Sequence, residues 1–471
     1  MGESVDWKEN LSQNSNHIYK KSEFGPDFVK DFKKTYTFFQ HNTPHIAQGI
    51  LHLLMGQLPS LKNMRIPVDA NYLDTRIHIV WFQQSDTGKG RGFNFASAIC
   101  DGIGLKYEPV FEITDAALLG GFDQIQKYDS TKKGYVTEYS FIPGLLQRGQ
   151  TNILAMNEAS VLFNSKPNQI QKNAMDYYQI TMNTLGTKDN IIPKRVLHGG
   201  NITCEPDCSL FLTSYIPDKL NEVIATRGFA SRPLNIINDV SIEDRRGAMD
   251  HSAEFFNVER NSAKVDLYSI IGKMKFINEF YAGVNKLEHD PSIKQPLRNF
   301  VSQVYDTTVD VGKFQRKKLI EFMHRYQDMG YKLMYHSCCL RLGKKIEADD
   351  VTYAESYLMP IWRLFITYLE ESMVQSIRDR VMSSQIERDV YEGFNKFKSI
   401  VDEHNNIKFL DKDGFMPRPL LKKYLKIKVW KCSSTTVDKR LKDAEKTGLV
   451  EQGRRGMIPT IKILRKPDDP V

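Results

Sequence analysis

Three short runs of mostly apolar residues constrain the fold of this chain most strongly. They comprise residues 77–82, 151–156 and 208–214, and none of them contains Lys, Arg, Asp or Glu. Uncharged strands of this kind are typical of parallel sheets, because helices cover both faces of such sheets. Helical patterns separate the runs. We therefore predict an α/β fold with a parallel sheet and a ligand site at the carboxyl ends of its strands.

A glycine-containing loop follows the first run. Residues 83–92 read Gln-Gln-Ser-Asp-Thr-Gly-Lys-Gly-Arg-Gly, and a helical pattern follows at 93–99. A strand, such a loop and a helix can hold phosphate with backbone N–H groups and one lysine. We predict that Lys89 contacts the β- and γ-phosphates of a nucleotide; a simple glycine turn is the alternative. Gly90 replaces the Ser or Thr that normally follows this lysine and contacts Mg²⁺.

The second run ends in an amide and a carboxylate, Asn157 and Glu158. A Glu at the end of such a strand can polarise the water that attacks a phosphate. Asn157 stands where an Asp would organise the metal, and its amide lacks the charge to bind the ion strongly. A helix cap is the alternative for this pair. The predicted nucleotide-binding residues are Ser85, Asp86, Thr87, Gly88, Lys89, Gly90, Arg91, Asn157 and Ser214.

The end of the chain carries most of its positive charge. Between Gly414 and Arg465 there are fourteen Lys and Arg and four Asp and Glu, a net charge of +10, whereas the whole chain has +8. The other residues therefore sum to −2. A basic segment beside a nearly neutral body indicates a nucleic-acid partner, with a solvated basic face as the alternative.

The pattern within this basic segment predicts two helices and two strands. A short helix begins at Pro419, a second covers 433–446, and two strand-like runs flank the basic stretch 452–456. This order resembles a winged helix-turn-helix, whose second helix lies against a DNA groove while its wing contacts phosphates or the minor groove. Some winged helices bind protein instead. The predicted DNA-binding residues are Lys439, Arg440 and Lys442 on the helix, and Arg454 and Arg455 on the wing.

Composition excludes several classes of protein. The 471 residues are 41% hydrophobic and 26% charged, which is typical of an ordinary globular protein and not of a disordered one. The sequence has no long uncharged apolar run and no signal-peptide pattern, so we expect no membrane span and a cytoplasmic location. Six cysteines do not form a disulfide framework. Cys204 and Cys208 lack a second Cys or His pair, so we expect no metal site there.

The order of these motifs resembles that of AAA+ ATPases and, more narrowly, of the minichromosome maintenance (MCM) helicases, over about residues 40–471. The resemblance implies an AAA+ P-loop NTPase core with a helical lid, followed by a winged helix-turn-helix. The family's large N-terminal DNA-binding domain is missing, as we would expect of a compact helicase from a virus, plasmid or mobile element. The expected divisions are a flexible arm at 1–40, the ATPase core at 41–265, the lid and connecting helices at 266–413, and the winged helix at 414–471.

Two segments resemble hairpins of that family. Residues 119–139 resemble its inserted hairpin, with Lys132 and Lys133 at the turn. Residues 176–195 resemble the helix and hairpin that place basic residues in the central pore of the ring. The basic residues at that hairpin are Lys194 and Arg195. The resemblance implies that these four residues contact DNA.

Two arginines resemble residues that act on the nucleotide in the family. The segment 227–234, Arg-Gly-Phe-Ala-Ser-Arg-Pro-Leu, resembles the one that carries the arginine finger. Arg232 would then act on the nucleotide of a neighbouring subunit. Arg325 precedes a pattern similar to the family's lid and is the candidate second sensor. The first sensor falls on Ser214 or Thr213.

The resemblance implies an ATP-driven replicative DNA helicase or translocase. Its catalytic residues would be Glu158, Arg232 and Arg325, and its cofactors would be ATP and Mg²⁺. We expect a homo-oligomeric ring, a hexamer, with single-stranded DNA in the pore and duplex DNA at the winged helix. Three alternatives remain: a replication initiator or helicase loader, an AAA+ remodelling chaperone whose winged helix binds protein, and a degenerate ATPase that is a DNA-binding scaffold. Gly90 and Asn157 favour the last.

Overall fold

The structure of the chain is a computed structural model. It describes residues 19–39, 44–68, 71–83, 89–111, 113–129, 131, 134–163, 168–196, 200–215, 229–238, 246, 261–311, 316–403, 415–446, 449–455 and 458–464. Within these ranges no helix is both long enough and apolar enough to cross a membrane.

The described chain contains both helices and strands. The α-helices are α1 (Pro26–Phe39), α2 (Pro44–Met55), α3 (Pro59–Lys62), α4 (Lys89–Ile103), α5 (Asp115–Leu119), α6 (Gln169–Thr181), α7 (Asn261–Phe280), α8 (Lys294–Val311), α9 (Arg316–Leu340), α10 (Ala348–Glu403), α11 (Arg418–Tyr424) and α12 (Ser434–Lys446). The strands are β1 (Ile66–Val68), β2 (Asn71–Leu73), β3 (Ile79–Gln83), β4 (Tyr107–Pro109), β5 (Gly120–Asp129), β6 (Gly134–Pro143), β7 (Ile153–Met156), β8 (Ile192–Val196), β9 (Gly200–Cys204), β10 (Ser209–Ser214), β11 (Leu234–Asn238), β12 (Glu288–His289), β13 (Lys345–Ile346), β14 (Met416–Pro417), β15 (Val450–Arg455) and β16 (Ile458–Ile463).

A parallel sheet of five strands forms the centre of the first part of the chain. Its strand order is β11-β3-β10-β7-β4, and every neighbouring pair is parallel. All residues of β3, β7 and β10 are buried, which explains why the three apolar runs carry no charge. The predicted α/β fold with a parallel sheet is confirmed. The short edge strand β4 was not predicted, since it contains the strand-disfavouring residues Glu108 and Pro109.

Helix α1 belongs to the folded core. Phe28, Phe32 and Tyr36 recur every four residues on one face of this helix and are fully buried. The rings of Phe32 and Tyr36 each lie 5.2 Å from the ring of Phe95 in α4, measured between centroids. The expectation of a flexible arm at 1–40 is therefore wrong for Pro26–Phe39, because this segment supplies an apolar face that the core buries.

A close contact between α4 and β3 fixes the start of α4. A Cβ atom added at Gly92 would lie 2.9 Å from the ring of Trp81, whose side chain is fully buried in β3. Only glycine allows the helix to approach the strand this closely. The predicted helix at 93–99 begins earlier than expected, at Lys89, so this lysine lies in the first turn of α4.

The predicted helical region after the sheet is also present. It comprises α7, α8, α9 and α10, and α10 begins at Ala348, within the acidic stretch 347–350. The Asp350 carboxylate accepts the backbone N–H of Glu347 and forms an ion pair with Arg341 at 2.7 Å. These contacts satisfy a backbone donor at the helix start, where no carbonyl of the helix is available.

The chain divides into two compact units, residues 1–372 and 373–471, and the division falls within α10. The second unit contains α11, α12 and an antiparallel sheet with the strand order β14-β16-β15. Val390 and Phe394 of α10 are part of its apolar core. This unit therefore begins earlier than the predicted boundary between 413 and 414. Its strands are also longer than predicted, because β15 extends to Arg455.

Candidate nucleotide site

The carboxyl edge of the parallel sheet contains a topological switch point. From β3 the chain continues to β4 at one end of the sheet, whereas from β10 it continues to β11 at the other end. Strands β3 and β10 are neighbours, and the chain leaves them toward opposite ends of the sheet, which is the arrangement at which open α/β sheets have a crevice. Ligands of open α/β sheets bind in such crevices. Lys89, the pair Asn157 and Glu158, and Tyr215, which follow β3, β7 and β10, therefore lie at the candidate functional site.

Lys89 lies at this edge and is nearly buried. Its ammonium group donates a hydrogen bond to the backbone carbonyl of Gln83 at 3.0 Å, which joins the start of α4 to the end of β3. The same group lies 4.2 Å from the centroid of the Tyr215 ring, which follows β10. Only 8% of the Lys89 residue surface is exposed. A buried ammonium between a carbonyl and an aromatic face is a strong point charge, because the low local polarity screens it little.

The predicted pair Asn157 and Glu158 follows β7 at the same edge. The Thr213 hydroxyl of β10 donates to the Asn157 side-chain oxygen at 3.0 Å and accepts the backbone N–H of Glu158 at 3.3 Å. Glu158 has a φ of +65°, a left-handed conformation that costs a non-glycine residue free energy. Strained residues of this kind concentrate at functional sites. Both side chains are exposed, so the Glu158 carboxylate is accessible to water.

Thr213, and not Ser214, is the β10 side chain that contacts this pair. The Ser214 hydroxyl donates to the carbonyl of its neighbour Tyr215 at 2.9 Å and is buried. Adjacent side chains of a strand point to opposite faces of the sheet, so only one of these two residues can contact the pair that follows β7. The predicted role of Ser214 in the nucleotide site is not reflected in its contacts.

Of the predicted loop 83–92, the structure describes Gln83 and residues 89–92. Ser85, Asp86, Thr87 and Gly88 lie outside the described residues, as do Lys132 and Lys133 at the turn of the first hairpin. Gly90 and Arg91 are exposed in the first turn of α4. A Cβ atom added at Gly90 would meet no described atom within 4 Å, so the amino end of α4 is open on this side.

Two polar side chains that the sequence did not single out support the end of β3. The Gln83 side chain is fully buried, and its oxygen accepts a hydrogen bond from the Asn238 amide of β11 at 2.7 Å. Asn238 and Gln83 are register partners at the last position of the two strands. This contact fixes the carbonyl of Gln83 and, through it, the ammonium group of Lys89.

Arg232 and Arg325 lie at the opposite edge of the sheet. Arg232 comes two residues before β11, and the N–H of Leu234 donates to the carbonyl of His78, which precedes β3. The register of β11 and β3 runs over five residue pairs, about 13 Å at a rise of ~3.3 Å per residue. Arg325 of α9 is exposed and lies near enough to Arg232 to repel it. Within one chain, the two arginines and Lys89 are not brought together.

The environment of Arg232 concentrates positive charge. Its guanidinium donates to the Asn183 side-chain oxygen at 3.1 Å. Burial and the neighbouring Arg325 lower the pKa of Arg232 to about 10, against a smaller opposite effect of Asp189. An anion bound between the two arginines would relieve their repulsion. The two arginines therefore form a positively charged position at this edge of the sheet.

A buried charge network lies behind these arginines. Arg76, which precedes β3, forms an ion pair with Asp74 and donates to the backbone carbonyl of Asn183 at 2.6 Å. Lys332 of α9 lies 3.7 Å from the Asp74 carboxylate. Burial alone would raise the pKa of Asp74, but Arg76, Lys332 and the N–H of Leu185 hold it far below its usual range. The network fixes Asn183 and thereby the partner of Arg232.

The described residues do not fit a dedicated Mg²⁺ site. Among them, no three His, Cys, Asp or Glu side chains are grouped closely enough to hold a metal ion. At the nucleotide site, Gly90 offers no side-chain ligand, and the neutral oxygen of Asn157 already accepts from Thr213. Mg²⁺ prefers carboxylate and phosphate oxygens. Of the described residues named at this edge, Glu158 offers one carboxylate, so the phosphates of a nucleotide would have to supply the other charged ligands.

A pair of antiparallel strands is present near each predicted hairpin, but the second pair extends beyond the predicted segment 176–195, to Cys204. Strands β5 and β6 pair over ten residues each, and β8 and β9 pair over five. Lys194 of β8 forms an ion pair with Asp115 of α5 at 2.7 Å, a partner that sequence reasoning missed. The backbone of Arg195 lies in β8, and its side chain lies outside the described part of the chain.

The basic residues of the second unit are mostly exposed. Lys439 and Lys442 of α12 and Arg454 of β15 are exposed, and the side chain of Arg455 is not among those described. Arg440 of α12 is partly buried, and its guanidinium lies 4.9 Å from the centroid of the Trp430 ring. The exposed lysines leave one side of α12 positively charged, whereas Arg440 also holds Trp430 in place.

The sequence matches no protein-family model and no curated protein.

Proposed function

We propose that this chain is an ATP-dependent motor of the AAA+ class that acts on DNA as a ring, similar to the MCM helicases. The observation that carries the proposal is the convergence at the switch point of the sheet. Lys89 follows β3, the pair Asn157 and Glu158 follows β7, and Thr213 of β10 lies between them with a hydrogen bond to each of the pair.

Other features of the fold support the AAA+ assignment. Strand β10, which bears Thr213, lies between β3, which Lys89 follows, and β7, which Glu158 follows. Two strand spacings, about 10 Å, therefore separate β3 from β7, which would leave room for a phosphate and a water between Lys89 and Glu158. The helices after the sheet fit a lid and a connector. The second unit, with α11, α12 and a three-stranded sheet, fits a winged helix-turn-helix.

Lys89 and the amino end of α4 would bind the phosphates. In the chain without nucleotide, the Gln83 carbonyl and the Tyr215 ring hold the ammonium group. A phosphate oxygen is a stronger partner than either group, because both members of the new hydrogen bond are charged. The N–H groups at the start of the 15-residue helix α4 would add to the attraction.

Glu158 would orient and polarise the attacking water. The hydrogen bond from its backbone N–H to Thr213 fixes the strained backbone, so the position of the carboxylate depends on β10 as well as on β7. Arg232 and Arg325 of a second copy would complete the site by stabilising the charge on the phosphate. Phosphoryl transfer depends mainly on positioning and charge stabilisation, so turnover would require the oligomer.

The hairpins and the second unit would contact DNA. Lys194 would contact the phosphates of a single strand without reading its bases. Lys439, Lys442 and Arg454 form exposed positive positions on the second unit that suit duplex phosphates. The net charge of +10 between Gly414 and Arg465 is consistent with this assignment.

The test of this proposal is ATP turnover by the full-length chain, with and without single-stranded DNA, for wild type and Glu158→Gln. We expect DNA to stimulate wild-type turnover. The substitution should lower turnover by about 10²- to 10⁴-fold, the usual contribution of a general base, while ATP still binds. The matched control is Glu205→Gln, which removes an exposed carboxylate paired with Arg148, and it should turn over ATP like wild type. If wild type and Glu158→Gln turn over ATP at the same measurable rate, Glu158 does not polarise the attacking water.

A second candidate function is a degenerate ATPase that binds DNA as a scaffold. Gly90 and Asn157 favour it, because neither supplies a charged ligand for the metal. This candidate predicts that wild type binds ATP but releases no phosphate in the presence of Mg²⁺ and DNA. The same turnover experiment therefore separates the motor from the scaffold.

A further inference from the structure

The ion pair between Lys194 and Asp115 joins the second hairpin to the helix that precedes the first hairpin. Asp115 is the first residue of α5, which leads directly into β5 of the first hairpin. Lys194 lies in the middle of β8 in the second hairpin, where it is the register partner of Ile202. The ammonium nitrogen and the carboxylate oxygen are 2.7 Å apart.

The surroundings of Asp115 show that this carboxylate is held in place. The Asn173 amide of α6 lies 3.5 Å from its other oxygen. The phenol of Tyr177, one turn further along α6, has its pKa raised to about 12 by burial and by the charge and hydrogen bond of Asp115. A second contact links the second hairpin to the chain that follows the first one. The Cys204 thiol at the end of β9 donates to the backbone carbonyl of Leu146.

The pair remains accessible to a competing anion. The Lys194 and Asp115 side chains are 25% and 30% exposed, so neither is sealed in the core. A partly exposed ion pair is weak enough for a phosphate to replace the carboxylate. Phosphate contacts with nucleic acid also release condensed counterions, which favours the exchange at low salt.

We propose that Asp115 is an intramolecular competitor for nucleic-acid phosphate at Lys194. In the chain without nucleic acid, the carboxylate holds Lys194 and ties the second hairpin to the helix that precedes the first. A single strand that contacts Lys194 replaces the carboxylate and releases this tie. Asp115 thus lowers the affinity for single strands and positions Lys194 between encounters. The inference rests on the proposed contact of Lys194 with DNA.

The test is the affinity of the full-length chain for fluorescein-labelled oligothymidylate, measured by anisotropy over a series of salt concentrations. Asp115→Asn should tighten binding by about twofold to fivefold, the effect expected for a partly exposed ion pair. Lys194→Gln should weaken binding and reduce the slope of log affinity against log salt by about 0.7, the value for one phosphate of a single strand. In the double variant, Asp115→Asn should have no further effect on binding, because the proposed competition acts through Lys194.

Two control variants test whether the change in net charge or the choice of replacement side chain explains this result. Glu288→Gln makes the same change in net charge and releases Lys345 from a similar pair, so it should leave the affinity at the wild-type value. Asp115→Ser replaces the carboxylate by a smaller polar group and should tighten binding as Asp115→Asn does. Thermal unfolding of each variant shows whether it is folded.

Several results would overturn the inference. It fails if Asp115→Asn leaves binding unchanged while Lys194→Gln weakens it, and the proposed DNA contact then still stands. It also fails if Glu288→Gln tightens binding equally, or if the effect of Asp115→Asn persists in the Lys194→Gln background. If wild type does not bind the oligonucleotide at all, the proposed function fails together with the inference.

Discussion

Replacement of Arg232 by alanine is expected to lower ATP turnover by about 10³- to 10⁵-fold, the contribution typical of an arginine supplied to a phosphoryl-transfer site by a neighbouring subunit. ATP affinity should change little, because Arg232 lies at the opposite edge of the sheet from Lys89 in its own chain. The measurement is phosphate release at saturating ATP. Arg148→Ala, which removes an exposed arginine paired with Glu205, is the matched control and should retain turnover.

Mixing two inactive variants tests whether Arg232 acts between copies. Lys89→Ala and Arg232→Ala each lack one half of the site, so neither should turn over ATP alone. In an equal mixture that exchanges subunits, about a quarter of the head-to-tail interfaces combine an intact Lys89 with an intact Arg232. Turnover should then return to about that fraction of wild type. Mixtures that remain inactive, with subunit exchange demonstrated, would contradict a shared site.

Replacement of Asp74 by alanine should lower the free energy of unfolding by about 3–5 kcal/mol. The change leaves Arg76 and Lys332 buried without their carboxylate, and an uncompensated buried charge is strongly destabilising. The measurement is urea denaturation followed by circular dichroism. Because Arg76 also fixes Asn183, the partner of Arg232, we expect lower turnover in the fraction that remains folded.

A surface carboxylate provides the control for Asp74. Asp101 is exposed on α4, and Asp101→Ala should change the free energy of unfolding by no more than about 0.5 kcal/mol. A loss below about 1 kcal/mol for Asp74→Ala would show that water or rearrangement compensates Arg76 and Lys332. That result would also contradict the claim that the network positions Arg232.

The sequence allowed the central strands to be predicted because burial on both faces excludes charge. The runs that became β3, β7 and β10 carry no charged residue, and their order along the chain implied a parallel sheet. Helix α1 was missed because it follows an Asn-, Ser- and Lys-rich stretch that resembles a flexible arm. Its apolar face at Phe28, Phe32 and Tyr36 was the signal that could have identified it.

The details of the site depended on contacts that sequence spacing does not determine. Thr213 and Ser214 are adjacent, and a shift of one residue along β10 decides which of them meets Asn157. Tyr215 reaches Lys89 only because β10 lies beside β3. The choice of neighbour in a sheet is a tertiary property, and no local pattern around Tyr215 specifies it.

The sequence also could not identify the side chains that the basic residues contact. Lys194 was predicted as a phosphate contact from its place in a hairpin, but its ion pair with Asp115 requires α5 and β8 to meet. On α12, Arg440 was predicted to face DNA and also lies over the Trp430 ring. A positive charge in sequence therefore indicates what a residue can attract. Only the fold determines which partner it already has.

The central claim is that the carboxyl edge of the parallel sheet binds a nucleoside triphosphate through Lys89. The most direct measurement is equilibrium binding of a fluorescent ATP analogue, displaced by ATP, to wild type and Lys89→Ala. We predict that the substitution weakens binding by about tenfold to hundredfold, the loss expected for a hydrogen bond between charged partners. The matched control is Lys106→Ala, since Lys106 also donates to a backbone carbonyl, that of Gly149 at 2.8 Å, and it should bind ATP like wild type. Failure of wild type to bind ATP, or equal binding by Lys89→Ala, would contradict the claim.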